Sequence, residues 1–198
     1  MPPIDCMLRA LMSLFEYLMV LVSIIIGLGV AEILRGVARQ IRERETSQGY
    51  WVHSVVVLSI FFALLQQWWE SWSLRVVLEW TFPGLVMLLA GPIGLFLIAH
   101  LLFPEPASGA KFREYYYGAM RPLWWLAAAT VVLATMFRPL IFDQDLFSAQ
   151  NATSFVFVFG FIALATSRRP ILHTIFVPVI LLLVLLDVFQ WTFVLGPN

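Results

Sequence analysis

The sequence predicts an all-α fold, a polytopic transmembrane helical bundle of six helices, and three observations carry that prediction. The chain is 61% apolar and 12% charged over 198 residues, with a mean hydropathy of +0.89, whereas a soluble domain holds about 45–50% apolar and about 25% charged residues. Six separate stretches approach the length, about 20 apolar residues, that crosses a hydrocarbon core of about 30 Å as a helix. The connections collect the charged residues and are too short for a soluble domain, so residues 1–198 read as a single integral-membrane domain.

The first stretch runs from about 12 to 34 and ends at a basic run. It exceeds the about 7 to 15 apolar residues of a secretory signal, and no small-x-small cleavage site precedes the arginines, so it is expected to stay as a permanent helix. Ser23, Gly27 and Ala31 stand four apart on it. Such a small-xxx-small ladder lets helix backbones approach where lipid offers no hydrophobic drive, which makes these three the expected packing positions. The second stretch, about 51 to 72, ends in Gln66, Gln67 and Glu70, and the third, about 80 to 103, opens on Trp80-Thr81-Phe82. The fourth, about 120 to 141, and the sixth, about 170 to 194, open at Arg121-Pro122 and Arg169-Pro170, where the missing proline N–H costs nothing. The fifth, about 152 to 167, is the shortest. It follows Asn151, which matches a glycosylation acceptor as Asn151-Ala152-Thr153 but reads better as an N-cap. Pro92 and Pro178 lie inside helices three and six, where each removes a backbone hydrogen bond. Ile26-Gly27-Leu28, Ile93-Gly94-Leu95 and Phe159-Gly160-Phe161 recur at spacings of 67 and 66 residues, and with the Arg-Pro echo they suggest three tandem helical hairpins.

Translocated loops are depleted in Lys and Arg. Arg35, Arg39, Arg42, Arg44, Lys111, Arg113, Arg121, Arg168 and Arg169 fall on one side of the six-span map, and Arg9, Arg75 and Arg138 on the other. Both termini are therefore expected to face the periplasm. The aromatic residues fit the same map, because amphipathic rings prefer the headgroup level. Tyr50, Trp51, Tyr115, Tyr116, Tyr117, Trp124 and Trp125 fall at the cytoplasmic boundary, and Tyr17, Trp68, Trp69, Trp72, Trp80 and Trp191 at the outer one. They read as anchors.

Ionisable groups inside hydrocarbon are costly and mark function or pairing. One layer lies near the cytoplasmic boundary and holds Glu32, His53, His100 and His173, the last three being every histidine of the chain. Imidazoles at one depth could ligate haem or a metal, but no His-x-x-His or His-Glu-x-x-His spacing occurs and no cofactor is expected. The second layer is deeper in the outer half. At about 1.5 Å rise per residue, Arg138 stands about 25 Å from the cytoplasmic edge and Asp187 at a matching height. Gln66, Gln67 and Glu70 end helix two at that level, Glu16 enters from helix one, and Gln190 shares a face with Asp187 at a spacing of three. Arg138 is the basic group expected to pair with these carboxylates.

Several chemistries are excluded. Twelve basic residues balance twelve acidic ones and only Lys111 is lysine, so a nucleic-acid footprint is missing. Cys6 is the single cysteine, which rules out an internal disulfide or a cysteine-built zinc site. There is no Gly-x-Ser-x-Gly, P-loop or Gly-x-Gly-x-x-Gly motif. The expected partners are the lipid bilayer and, beyond it, a second copy of the chain or other membrane subunits.

The stretches SLFEYLMVLVSIIIGLGVAEIL, YWVHSVVVLSIFFALLQQWW and WTFPGLVMLLAGPIGLFLIAHLLFP together resemble a widespread group of small, uncharacterised bacterial six-helix inner-membrane proteins. The shared elements are the GLG of helix one at Gly27 to Gly29, the WTF opening of helix three at Trp80 to Phe82, and its LLFP end at Leu101 to Pro104. The resemblance covers roughly the N-terminal half and implies a bacterial inner membrane and six helices. It implies no activity. A non-catalytic scaffold, partner subunit or sensor is the first reading of function. An ion or small-solute channel or transporter using the outer polar layer is the alternative, and an intramembrane redox protein with histidine-bound haem or metal is the third.

Overall fold

Each of the six apolar stretches forms a helix. The computed structural model describes residues 4–42, 49–77, 80–104, 112–142, 145–147 and 151–191, with the side chains of all of these except 4–14, 119, 137, 138, 140–142, 190 and 191. The helices are α1 (Ile4–Arg42), α2 (Trp51–Glu70) with a 3-10 turn (Ser71–Val76), α3 (Phe82–Leu101), α4 (Phe112–Ala119), α5 (Arg121–Phe142), α6 (Ala152–Thr166) and α7 (Pro170–Trp191). Local chemistry sets several boundaries. Thr81 is extended and its hydroxyl accepts the Gly84 N–H at 3.2 Å, capping α3. Ser167 is extended and closes α6. Arg169 precedes Pro170, a position that disfavours helical backbone, and Pro170 then occupies the first turn of α7.

Four described helical segments are long and apolar enough to cross a membrane by themselves: Phe15–Arg42, Trp51–Val76, Phe82–Leu101 and Pro170–Phe189. α5 meets that measure only when joined to α4 across a bend of 58°, and α6 is shorter at 15 residues. α4 itself lies in the connection between α3 and α5, where no helix was expected. Asn151 precedes α6 as expected, but its own backbone is helical and its side chain does not cap. It turns back instead, its amide donating to the Leu146 carbonyl at 3.0 Å.

α2, α3, α5, α6 and α7 pack in a closed ring in that order, and α1 lies in the groove between α2 and α3. α1 buries Val22, Ile26, Ile33, Gly29 and Gly36 at alternating steps of four and three, the narrow seam of closely packed helices. A Cβ on Gly29 would meet Leu64 of α2 at 2.9 Å and the Phe96 backbone of α3 at 3.5 Å, and one on Gly36 would fall on the Phe103 ring. The small residues that admit a neighbour are thus Gly29 and Gly36. Gly27 is exposed with nothing within reach, Ala31 is half-buried, and Ser23 serves as acceptor for the Trp68 indole N–H at 3.1 Å. The three glycines of the spaced echo also differ. Gly94 lies tight against Thr130, Gly27 faces outward, and Gly160 only touches Phe176.

Side-chain contacts sort the helix ends. At one end Glu32 of α1 faces His100 of α3, His53 of α2 reaches the Leu102 carbonyl, and Tyr116 of α4 reaches His173 of α7. At the other, Phe15 of α1 meets Trp72 and Gln66 of α2 meets Asp187 of α7. Successive long helices therefore alternate in direction along the chain, and α2 and α7, which close the ring, run parallel. Every one of the six carries exposed large apolar side chains, as at Ile24, Leu58, Val86, Leu133, Phe159 and Ile175, a surface suited to lipid rather than water.

Candidate functional site

The end holding α4 is closed by a knot of aromatic rings around His173. α4 is short and sided: Phe112 and Tyr116, four apart, point inward, while Arg113 and Glu114 are exposed. Tyr116 is 2% exposed, and its ring meets those of Tyr50, Tyr117, Trp124 and His173 at centroid distances of 5.0 to 6.4 Å. Most of these contacts are edge-to-face, the arrangement that ring quadrupoles favour. Trp124, 3% exposed, stacks on Phe161 of α6 at 5.9 Å. The expectation that all of these rings act as interfacial anchors is therefore corrected for Tyr116 and Trp124, which sit in the core, whereas Trp51 and Trp125 are exposed at 52% and 44%.

Hydrogen bonds fix the histidine. Its Nε2 lies 2.8 Å from the Ser167 carbonyl, and a carbonyl can only accept, so Nε2 carries the hydrogen. In the neutral ring Nδ1 is then a bare acceptor, and the Tyr116 hydroxyl donates to it across 2.9 Å. One side chain of α7 thus ties the end of α6 to α4. Tyr117 and Tyr50 share a hydroxyl–hydroxyl bond of 2.8 Å, and Tyr115 donates to the Leu101 carbonyl at 2.8 Å. Three successive tyrosines reach three different elements because neighbours on a helix stand about 100° apart.

The expected cytoplasmic layer separates into three unconnected sites. His53 is fully buried; its Nε2 donates to the Leu102 carbonyl at 2.7 Å, its ring packs on Phe103 and Phe112, and its Nδ1 is buried without a partner among the described residues. His100 points outward, its Nδ1 4.0 Å from Glu32, whose other oxygen takes the Arg35 guanidinium at 2.7 Å. His173 belongs to the aromatic knot. Sharing a depth along four helices does not place side chains on one face. Among the described residues no three of His, Cys, Asp and Glu come together, so the four residues form no common ligand set.

The outer layer is assembled in part. The Gln66 amide donates to Glu70 Oε1 at 3.0 Å and also to Asp187 Oδ2, so one nitrogen bridges a carboxylate one turn along α2 and a carboxylate of α7. Gln67 turns the other way, its side chain lying over Gly91 of α3 at 3.0 Å from where a Cβ would stand. Glu16 is exposed on α1. The side chains of Arg138 and Gln190 lie outside the described residues.

Comparison with family models, with curated proteins and with solved structures returned no match.

Proposed function

We propose that the chain is a six-span integral membrane protein whose spans are α1, α2, α3, α5, α6 and α7, and that it serves as a non-catalytic scaffold or partner subunit. The bacterial inner membrane as its location and periplasmic termini follow from the same reading, supported by the resemblance of the N-terminal half and by the basic residues gathered at the α4 end. α6 rises about 22 Å over its 15 residues, and the polar turns at either end make up the remaining depth.

The observation that favours a scaffold is the way polar side chains are consumed. His53 and His173 are spent on backbone carbonyls and a phenol, Glu32 on Arg35, and the tyrosines on each other and on Leu101. Apart from the Glu32–Arg35 pair, which lies within α1, these bonds join one element to another.

One specific observation favours the alternative. Gln66, Glu70 and Asp187 meet between α2 and α7, a donor set that an ion or small polar solute would encounter on passing through the outer half. Flux measurements on the purified chain in sealed vesicles separate the two readings. A scaffold gives vesicles no leakier to protons, sodium or small solutes than protein-free ones. Flux that the wild-type chain supports and Asp187→Asn abolishes would overturn the scaffold reading in favour of transport.

A further inference from the structure

One edge of the α4 end concentrates positive charge that makes no ion pair among the described residues. Arg121 opens α5, and Arg168 and Arg169 fill the turn from α6 to α7; all three are exposed. The contacts place them together. Trp124, one turn along α5 from Arg121, stacks on Phe161 of α6 and meets the ring of His173 on α7, so the start of α5, the end of α6 and the start of α7 share one level. The halves of these helices at this end contain no Asp or Glu. Arg121 and the pair at 168 and 169 also stand at helix N-termini, where the macrodipole already presents positive charge, so their placement opposes helix stability unless an anion sits against them. Their mounting is rigid: Ser167 accepts the Arg169 N–H on its hydroxyl and the His173 ring on its carbonyl, and His173 is held by Tyr116. Trp125 is exposed and lies four residues beyond Arg121, on the same face and one turn deeper.

We propose that this edge, with Arg121, Arg168 and Arg169 at one level and Trp125 below them, docks the headgroup of an anionic phospholipid. The guanidinium forks take the phosphate and the indole lies against the glycerol and upper acyl chain. Arginine matches phosphate geometry through paired N–H donors, and an indole at headgroup depth is the usual neighbour of such a contact. The opposite end offers no equivalent edge among the described residues, since Glu16, Glu70 and Asp187 lie there and Arg75 is spread over the Trp72 ring at 5.0 Å. The inference rests on the membrane reading above, and flotation of the wild-type chain with vesicles tests that reading separately.

The test counts retained lipids on the full detergent-solubilised chain by native mass spectrometry, with phosphatidylglycerol and phosphatidylcholine of identical acyl chains offered together. The wild-type chain should retain phosphatidylglycerol in at least tenfold preference. A surface charge contributes roughly a fivefold change in affinity for anionic lipid, so Arg168→Gln with Arg169→Gln should bring the ratio close to one. Arg168→Lys with Arg169→Lys, which keeps the charge but not the paired donors, should lose much of the preference, and Arg75→Gln should keep all of it. A chain that floats with vesicles but takes both lipids equally overturns this inference and leaves the membrane reading standing. Preference that survives in the triple Arg121→Gln, Arg168→Gln, Arg169→Gln variant overturns it as well, as does undiminished preference in the lysine variant, which would show that the guanidinium forks are not what holds the lipid. Inorganic phosphate displacing the lipid at equal concentration would assign the edge to a soluble anion instead.

Discussion

At the scale of single residues, space and hydrogen bonding decide what each position tolerates. Thr130 is buried, β-branched and held by its own bond to the Leu126 carbonyl at 2.8 Å, so it cannot yield to a methyl group on Gly94, which lies directly against it. Gly94→Ala should therefore force α3 from α5 and cost about 1–3 kcal/mol, read as a lowered unfolding midpoint in detergent. Gly27→Ala, with open space around it, should leave the midpoint unchanged or slightly raised. Equal effects of the two substitutions would show that the α3–α5 approach is not as close as described. Tyr116 and His173 form the second test. Tyr116→Phe leaves a buried Nδ1 lone pair without its donor, at a cost of about 1–3 kcal/mol. Adding His173→Leu should then cost less than the sum of the two single changes, because the two side chains share one bond. Strict additivity would mean that the hydroxyl and the imidazole act independently.

At the scale of elements, the joint between α2 and α7 at the end opposite α4 rests on Gln66. Its amide is the neutral donor standing between the carboxyl groups of Glu70 and Asp187. Gln66→Leu should destabilise the detergent-solubilised chain by about 1–3 kcal/mol, the cost of taking this donor from the half-buried Asp187 carboxyl group. Gln66→Leu combined with Asp187→Leu should recover part of that loss, since removing both partners is milder than removing one. If the double variant is as unstable as the sum of its parts, the bridge contributes nothing to the packing of α2 on α7. α4 acts differently. It is too short to be a stable helix alone and is held by the rings of Tyr116 and Tyr117, which lie against Tyr50 ahead of α2, and, for Tyr116, Trp124 of α5.

At the scale of the whole molecule, helices that alternate in direction along the chain put the start of α1 and the end of α7 on the side opposite α4. Nine of the twelve basic residues fall on the α4 side of the six-span map, so the α4 side should be cytoplasmic. Reporter fusions active only in the cytoplasm should be active in the connection at 104–118 and silent after residue 198. The reverse pattern would invert the molecule, and activity at both sites would show an odd number of spans.

The helices themselves were legible in the sequence. All six stretches read from hydropathy form helices over their described residues, and four of those helices are long and apolar enough by themselves to cross a membrane, where helical backbone satisfies its own polar groups. Depth was legible too: Gln66 and Asp187, assigned one level from residue counts alone, are in contact, since a helix rises by a constant amount per residue. Facing was not. His53, His100 and His173 share a depth and point three ways, Gly29 and Gly36 rather than Gly27 receive the neighbouring helices, and Tyr116 and Trp124 turn from expected anchors into the core of a knot. In a chain whose spans are apolar on every side, periodicity leaves the rotation of a helix about its axis almost unmarked. Which residues meet is then decided by the fit of side chains between helices, and that fit exists only in the assembled ring.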